Sequence, residues 1–431
     1  MRVAWIGPMP RKGGGASGVS NQLLQEIDRH GSVEVDCYMP GHAASLPEEL
    51  VKLKHVRFFC EPSSWEWGQW YSRNRLMSFI TGQVANLRCE NRLARKLIAA
   101  HRGQPYDVIY QFSHIEFSAI RRYKQELPPI CLHPSVHAAG ELRWHRQERQ
   151  LARTCEPFII RTVERLLLTA RYIVQRRHIK VADKVFALSR NFADNLVEDY
   201  HVAPEDITII PNPIDLHHFT LDVSKKDSSR FTLLFVSRIA VRKGVECIVE
   251  LSHRLNDLDS EVEILVVGDK SQWSDYTPLL RNLNTRMARY IGGVNGTGDE
   301  MVRLYQRAHM LIQPSRYEPF GLTVGEALAC GTPVVASNKV GSAEDVKREA
   351  CRVFPDGNMD ALELAIRNLL LDLRNESKAQ SIYQLCRHEC ERLFIGSNIA
   401  DRLLAELTST VLSRPAVPLP AMSHQEAVRK A

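Results

Sequence analysis

The chain has 431 residues, which suggests two domains, possibly a third, at roughly 150 residues each. An apolar share of 44% and a charged share of 25% exclude a mostly disordered or fibrous chain. The net charge is +6, and residues 1–220 hold 29 Lys+Arg against 23 Asp+Glu, so the first half carries the whole excess, concentrated at 142–190. No apolar run approaches the ~20 residues a membrane helix needs. The opening Met1-Arg2-Val3-Ala4-Trp5-Ile6 reads as a first strand rather than a signal-peptide core. A cytosolic protein is expected.

Short apolar runs at 3–6, 33–38, 56–60, 108–110, 130–133, 185–188 and 207–210 predict buried parallel strands. Helical periods fall between them at 19–29, 87–100, 114–127, 158–174 and 191–200. Pro211-Asn212-Pro213-Ile214-Asp215 and the polar stretch 224–230 mark a boundary. The pattern then restarts, with strands predicted at 232–236, 262–267, 289–291, 310–312, 334–337 and 352–354, and helices at 245–256, 299–307, 323–330 and 359–371. Strand-helix alternation of this kind predicts two doubly wound α/β domains, at 1–213 and 214–395. A last helix at 396–413 is expected to pack elsewhere, on the first domain, and the proline-rich tail 414–431 to be disordered. Ligands of such sheets bind at the carboxyl ends of the strands, here the cleft between domains.

Ten scattered cysteines read as reduced and structural. Cys386 and Cys390, one turn apart with His388 between them, make a poor metal set. Asp257-Leu258-Asp259 imitates a metal-binding Asp-x-Asp but has no phosphate-binding context. No bound metal is expected.

The segment from Ser315 to Pro333 carries the most chemistry. Pro319 keeps Glu318 extended. Phe320-Gly321 turns, a helix begins near Leu322, and its free N–H groups form a phosphate site. Glu318 precedes that site and Glu326 follows one turn into the helix. Carboxylates accept from hydroxyls, so the set suggests a nucleotide sugar.

These residues also carry a resemblance. Glu-x7-Glu, then Ala329-Cys330-Gly331-Thr332-Pro333-Val334-Val335-Ala336-Ser337, resembles the retaining glycosyltransferases of family 4, which have the GT-B architecture of two facing Rossmann-like domains. Phe235-Val236-Ser237-Arg238 with Arg242-Lys243-Gly244, then Val266-Val267-Gly268, Tyr290-Ile291-Gly292-Gly293-Val294 and Pro211-Asn212-Pro213-Ile214-Asp215, are similar in order and spacing. Ser237 and Pro213 stand where the family often has Gly. Gly13-Gly14-Gly15 resembles the family's glycine-rich loop. The resemblance implies that the first domain binds the acceptor and the second the donor. It implies that Arg238 and Lys243 neutralise the departing diphosphate, that Gly14 and Gly15 close on it, and that Glu326 accepts from the ribose. Glu318, with backbone at Phe320, Gly321 and Leu322, would hold the donor sugar, and Gly293 and Val294 would flank the base. It also implies a histidine near the reaction centre; His133 matches best and His137 competes. Charge developing on a leaving diphosphate is stabilised by fixed cations and helix-end N–H groups, so no metal or other cofactor is required.

The expected activity is metal-independent, retaining transfer of a hexose-type sugar to an acceptor hydroxyl. A cell-envelope glycan, a lipid-linked intermediate and a small metabolite all remain open as acceptor. A nucleotide-sugar epimerase, a phosphorylase and an inactive sugar-nucleotide-binding protein are the other classes weighed; the set Arg238, Lys243, Glu318 and Glu326 argues against the inactive one. In the basic stretch, Ile159, Val163, Leu166, Leu167, Ala170 and Val174 recur at helical spacing among arginines, and Trp65, Trp67, Trp70 and Tyr71 cluster upstream. Two readings follow: peripheral contact with the inner membrane face, or an apolar face packed on the first sheet. Nucleic acid is not expected, because no binding motif accompanies the charge.

Overall fold

The computed structural model describes residues 1–65, 75–226, 230–270, 275–296 and 298–413. Its first half forms β1 (Arg2–Ile6), α1 (Gly15–His30), β2 (Glu34–Pro40), α2 (Glu48–Val51), β3 (Val56–Glu61), α3 (Arg75–Gly103), β4 (Val108–Ser113), β5 (Ile130–Pro134), α4 (Ala138–Gln147), α5 (Arg149–Ala152), α6 (Phe158–His178), β6 (Lys184–Ala187), α7 (Arg190–Tyr200) and β7 (Ile207–Ile209). The second forms β8 (Phe231–Val236), α8 (Val245–Arg254), β9 (Val262–Val267), β10 (Ala288–Tyr290), α9 (Asp299–Arg307), β11 (Met310–Gln313), α10 (Leu322–Ala329), β12 (Val334–Ser337), β13 (Cys351–Phe354), α11 (Met359–Leu373), α12 (Glu376–Phe394) and α13 (Gly396–Leu412).

The strands form two sheets, ordered β3-β2-β1-β4-β5-β6-β7 and β10-β9-β8-β11-β12-β13. Every pairing is parallel. Helices cover both faces, so central strands are buried on both sides; all six residues of β4 are buried. Each sheet reverses its strand order beside its first strand, between β1 and β4 and between β8 and β11. Ligands bind outside the strand ends at such points. The glycine loop follows β1, the Arg238–Lys243 loop follows β8, and the Glu318 loop follows β11.

The last helix returns to the first domain. Ile399, Leu403 and Leu407 of α13 join the cluster containing Val19, Leu23 and Ile27 of α1, and Arg402 donates to the Ile209 carbonyl at 2.8 Å. The ten cysteines are unpaired, with Cys386 and Cys390 buried in α12.

The helices differ in places from what was expected. The span 114–127 holds only a 3-10 turn at Ser118–Tyr123. Ser113 leaves β4 with φ 76°, the Gln111 amide donates to the His114 carbonyl at 2.6 Å, and Pro128-Pro129 close the segment. Conversely, α4 and α12 form where no helix was expected. The buried positions of α12 include Ala379, Cys386, Glu389 and Cys390, which give a weak apolar signal.

Helix α6 reverses the usual arrangement. Arg161 is buried, donating to the Tyr276 hydroxyl at 3.0 Å and the His145 carbonyl at 2.7 Å. Arg171 also turns inward, to Glu116 and Glu141. The outer arc instead shows Phe158 (79% exposed), Ile159 (69%), Leu166 (61%), Ile173 and Val174. Val163 and Leu167 are half-buried, so the apolar spacing does not form one packed face. Arg165, Arg176 and Arg177 share the exposed arc, and among the described residues none of the three has an acidic partner. Trp67, Trp70, Tyr71 and the tail 414–431 lie outside the described residues.

Candidate donor site at the domain cleft

Glycines let three loops meet. Gly244 has φ 77°, and a Cβ there would lie 2.1 Å from the Pro314 carbonyl oxygen. That close approach, with Arg316 N–H donating to the Arg242 carbonyl at 2.9 Å, fastens the loop after β8 to the loop after β11. Lys243 is thereby brought into an ion pair with Glu318. Burial and the nearby Arg242 and Arg238 push the Lys243 pKa down, and the Glu318 carboxylate paired with it is what favours its charged form. Arg238 is exposed beside them, with no hydrogen bond or ion pair among the described residues.

Gly321, at φ 98°, turns the chain into α10. A side chain there would press on Glu318, Val340 and Ser342. Leu322 and Thr323 begin the helix half-exposed, so its first amides point into the cleft. Phe320 anchors the turn from beneath, edge-on to Phe394 with centroids 5.4 Å apart.

Glu326 is buried one turn into α10 and accepts from the Tyr305 hydroxyl at 2.8 Å. Burial raises its pKa to about 7, against the lowering effect of the Tyr305 hydrogen bond. Its other oxygen faces the glycine loop, where a Cβ on Gly14 would be 3.6 Å away. Gly13 and Gly15 have φ 111° and 72°, and a side chain on Gly18 would collide with the Gly13 carbonyl. The loop thus folds on the first turn of α1 and meets Glu326 from the opposite domain. Together with Leu322 and the linker Pro213–Phe219 they line a cavity of about 510 Å³.

Gly293 is exposed beside Asp269, which a Cβ would approach to 2.7 Å, while Val294 packs against the buried cluster that includes Phe235 and Val267. Asp257 pairs with Arg367 at 2.8 Å. Among the described residues no group of three or more His, Cys, Asp and Glu could hold a metal ion.

The two candidate histidines sit in different surroundings. His133, the preferred candidate, is fully buried among Tyr110, Phe112 and Phe186. Its Nε2 donates to the Ile210 carbonyl at 2.9 Å, which leaves Nδ1 to accept from the Tyr110 hydroxyl at 2.6 Å. Burial pushes its pKa down to about 4. It is enclosed by aromatic rings at the end of β5, with both ring nitrogens bonded. His137 instead reaches the second domain. Its Nδ1 lies 2.5 Å from the Tyr317 hydroxyl and its Nε2 2.6 Å from Asp199. Tyr305, Tyr317, Asp199 and Ser189 all touch the site's framework, and nothing local in the sequence marks them.

Two parallel-sheet domains with a cationic loop and a carboxylate-flanked helix start at their cleft define the GT-B class. Residues 13–218 match the family model for Glycosyltransferase Family 4, and residues 219–384 that for Glycosyl transferases group 1. The chain belongs to the family 4 glycosyltransferases. It is 26% identical over 384 residues to a D-inositol 3-phosphate glycosyltransferase of Salinispora arenicola, covering 82% of this chain and 80% of that one. The chain spans about half the length, or less, of the first curated relatives it matches, 51% and 40%. Among solved structures, sucrose-phosphate synthase from Thermosynechococcus elongatus superposes with TM-score 0.68 at 18% identity, over 96% of this chain and 100% of that one. HepE of Anabaena, solved in complex with UDP, superposes with TM-score 0.62 at 17% identity, over 95% of this chain and 100% of that one.

Proposed function

We propose that the protein transfers a hexose-type sugar from a nucleoside diphosphate donor to an acceptor hydroxyl, with retention at the anomeric carbon and without a metal. The observation that carries this reading is the meeting of Lys243, Arg238 and the α10 N-terminus with two carboxylates, Glu318 and Glu326, at one cleft. Fixed cations and helix-end amides stabilise a leaving diphosphate where its charge grows. Carboxylates fit the hydroxyls of sugar and ribose. UDP is the first nucleotide to test, because a protein of the same fold was solved with it. Nucleoside diphosphate release from a panel of nucleotide sugars tests the reading; turnover abolished by chelator and restored by magnesium or manganese would overturn its metal-free part.

The acceptor side is read from α6. No helix of the described residues is long and apolar enough to cross a membrane. An outward arc of Phe158, Ile159, Leu166 and Ile173, with Arg165, Arg176 and Arg177 lacking an acidic partner among the described residues, suits the surface of an anionic bilayer. Each such arginine adds ~1 kcal/mol of attraction there. The first domain would then dock on the inner membrane face to reach a lipid-linked acceptor in envelope glycan or glycolipid synthesis.

A further inference from the structure

Glu318 belongs to the second domain, but the residues on either side of it are tied to the first. On one side, the Tyr317 hydroxyl meets His137 Nδ1 at 2.5 Å, and Asp199 fixes the far side of that ring at 2.6 Å. Burial opposes ionisation of Asp199, yet hydrogen bonds from His137 and Arg143 win and hold its pKa below the usual value. Asp199 accepts from Nε2–H, which leaves Nδ1 to accept from the Tyr317 hydroxyl. The Tyr317 ring fits against α4 because residue 140 is glycine; a Cβ there would lie 2.6 Å from Tyr317 Cζ. On the other side, Ser189 donates to the Pro319 carbonyl at 2.8 Å. Ser189 is the N-cap of α7, whose next two amides, of Arg190 and Asn191, are capped by Glu344 of the second domain at 2.9 and 2.8 Å. Gly341 makes that approach possible, since a Cβ there would meet Ser189 Oγ at 2.4 Å.

We propose that His137, backed by Asp199, and Ser189 are positioning residues that hold Glu318 at the donor sugar through Tyr317 and Pro319. The inference rests on the reading that Glu318 contacts that sugar. A displacement of about 1 Å in such a group is enough to lose much of its effect. The bare nucleoside diphosphate does not touch Glu318 in this reading, so its binding is indifferent to both anchors.

The test compares the affinity of a nucleotide sugar with that of its own diphosphate, by calorimetry. UDP-glucose with UDP, GDP-mannose with GDP, and ADP-glucose with ADP are run in parallel. Tyr317→Phe and Ser189→Ala should weaken nucleotide-sugar binding about three- to tenfold, the value of one hydrogen bond, with the diphosphate within about twofold. Glu318→Gln should erode the same preference, and adding Tyr317→Phe to it should cost nothing more. His137→Ala should behave like Tyr317→Phe, and His137→Asn, which keeps an acceptor near the Nδ1 position, should recover. Wild-type preference in Tyr317→Phe and Ser189→Ala, with loss in Glu318→Gln, would overturn the positioning role and leave Glu318's own role standing. Equal weakening of sugar and diphosphate in Tyr317→Phe would also overturn it. An intact preference in Glu318→Gln, or a wild type that binds none of the pairs, would remove the donor reading and this inference with it.

Discussion

Lys243 and Glu318 are ion-paired in the cleft, each side chain only 13% exposed. The lysine assigned to the diphosphate and the carboxylate assigned to the sugar therefore face each other directly across the site. A donor would insert between them, exchanging one pair for two contacts. Lys243→Ala should lower turnover roughly 10²–10³-fold, as for loss of one oxyanion donor. It should also destabilise by about 1–3 kcal/mol, because Glu318 is left without its partner. Arg238→Ala should match the kinetic loss with an unchanged Tm, since Arg238 is exposed and unpaired among the described residues. Equal Tm values for the two variants would contradict the pairing.

Glu326 gives a pH signature. Its folded pKa of about 7 exceeds the ordinary 4.5, so the folded state holds a proton that the unfolded chain has released. The contribution of this group to stability therefore falls as pH rises from 4.5 to 7 and is flat beyond. Donor KM should fall over the upper part of that range, because the ionised carboxylate accepts from both ribose hydroxyls. Glu326→Gln should flatten the profile. Tyr305→Phe removes the stabilising donor and should shift the inflection to higher pH; an unmoved inflection would detach Glu326 from the profile.

The two glycines at the head of α1 should separate. Gly18→Ala forces a methyl group onto the Gly13 carbonyl, 1.4 Å away, and must rearrange the loop. Gly14→Ala meets only Glu326 Oε1, at 3.6 Å. Donor KM should therefore rise much more in Gly18→Ala, with near-wild-type melting for Gly14→Ala. The reverse order in KM would mean that the loop does not close on the donor as described.

Vesicle sedimentation checks the α6 surface. Anionic vesicles should bind the protein at low salt and release it at high salt, and neutral vesicles should bind weakly. Ile159→Asp with Leu166→Asp should abolish binding without loss of Tm, as both side chains are exposed. Equal binding to both vesicle types, or none at low salt, would point to a soluble acceptor.

The strand pattern was legible because parallel strands buried on both faces read as continuous apolar runs. Val262–Val267 and Val334–Ser337 were recovered to the residue. Helix α9 was too, since its polar and apolar residues segregate cleanly. Helix α12 was not, because Ala379, Cys386, Glu389 and Cys390 interrupt its inward row of Ile382, Tyr383 and Phe394 and dilute the apolar period. The turn at Ser118–Tyr123 replaced a helix because side-chain and proline constraints outside the window decided the backbone.

By itself the sequence determined the doubly wound class, the two-domain division of the pattern and the candidate cluster Arg238, Lys243, Glu318 and Glu326. The class and the Glu318–Glu326 helix start rest on local spacing, periodicity and a proline before a turn; Arg238 and Lys243 rest on the family resemblance. Tertiary structure alone decided which histidine meets the second domain. His133 and His137 are four residues apart and chemically identical, but one lies in a sheet enclosed by aromatic rings and the other caps α4 facing Tyr317. It also decided which face of α6 turns outward. Helical spacing shows that apolar and basic residues share the helix; only the carboxylates packed beneath it, Glu116, Glu141 and Glu148, draw Arg161 and Arg171 inward and leave Ile159 and Leu166 in the solvent.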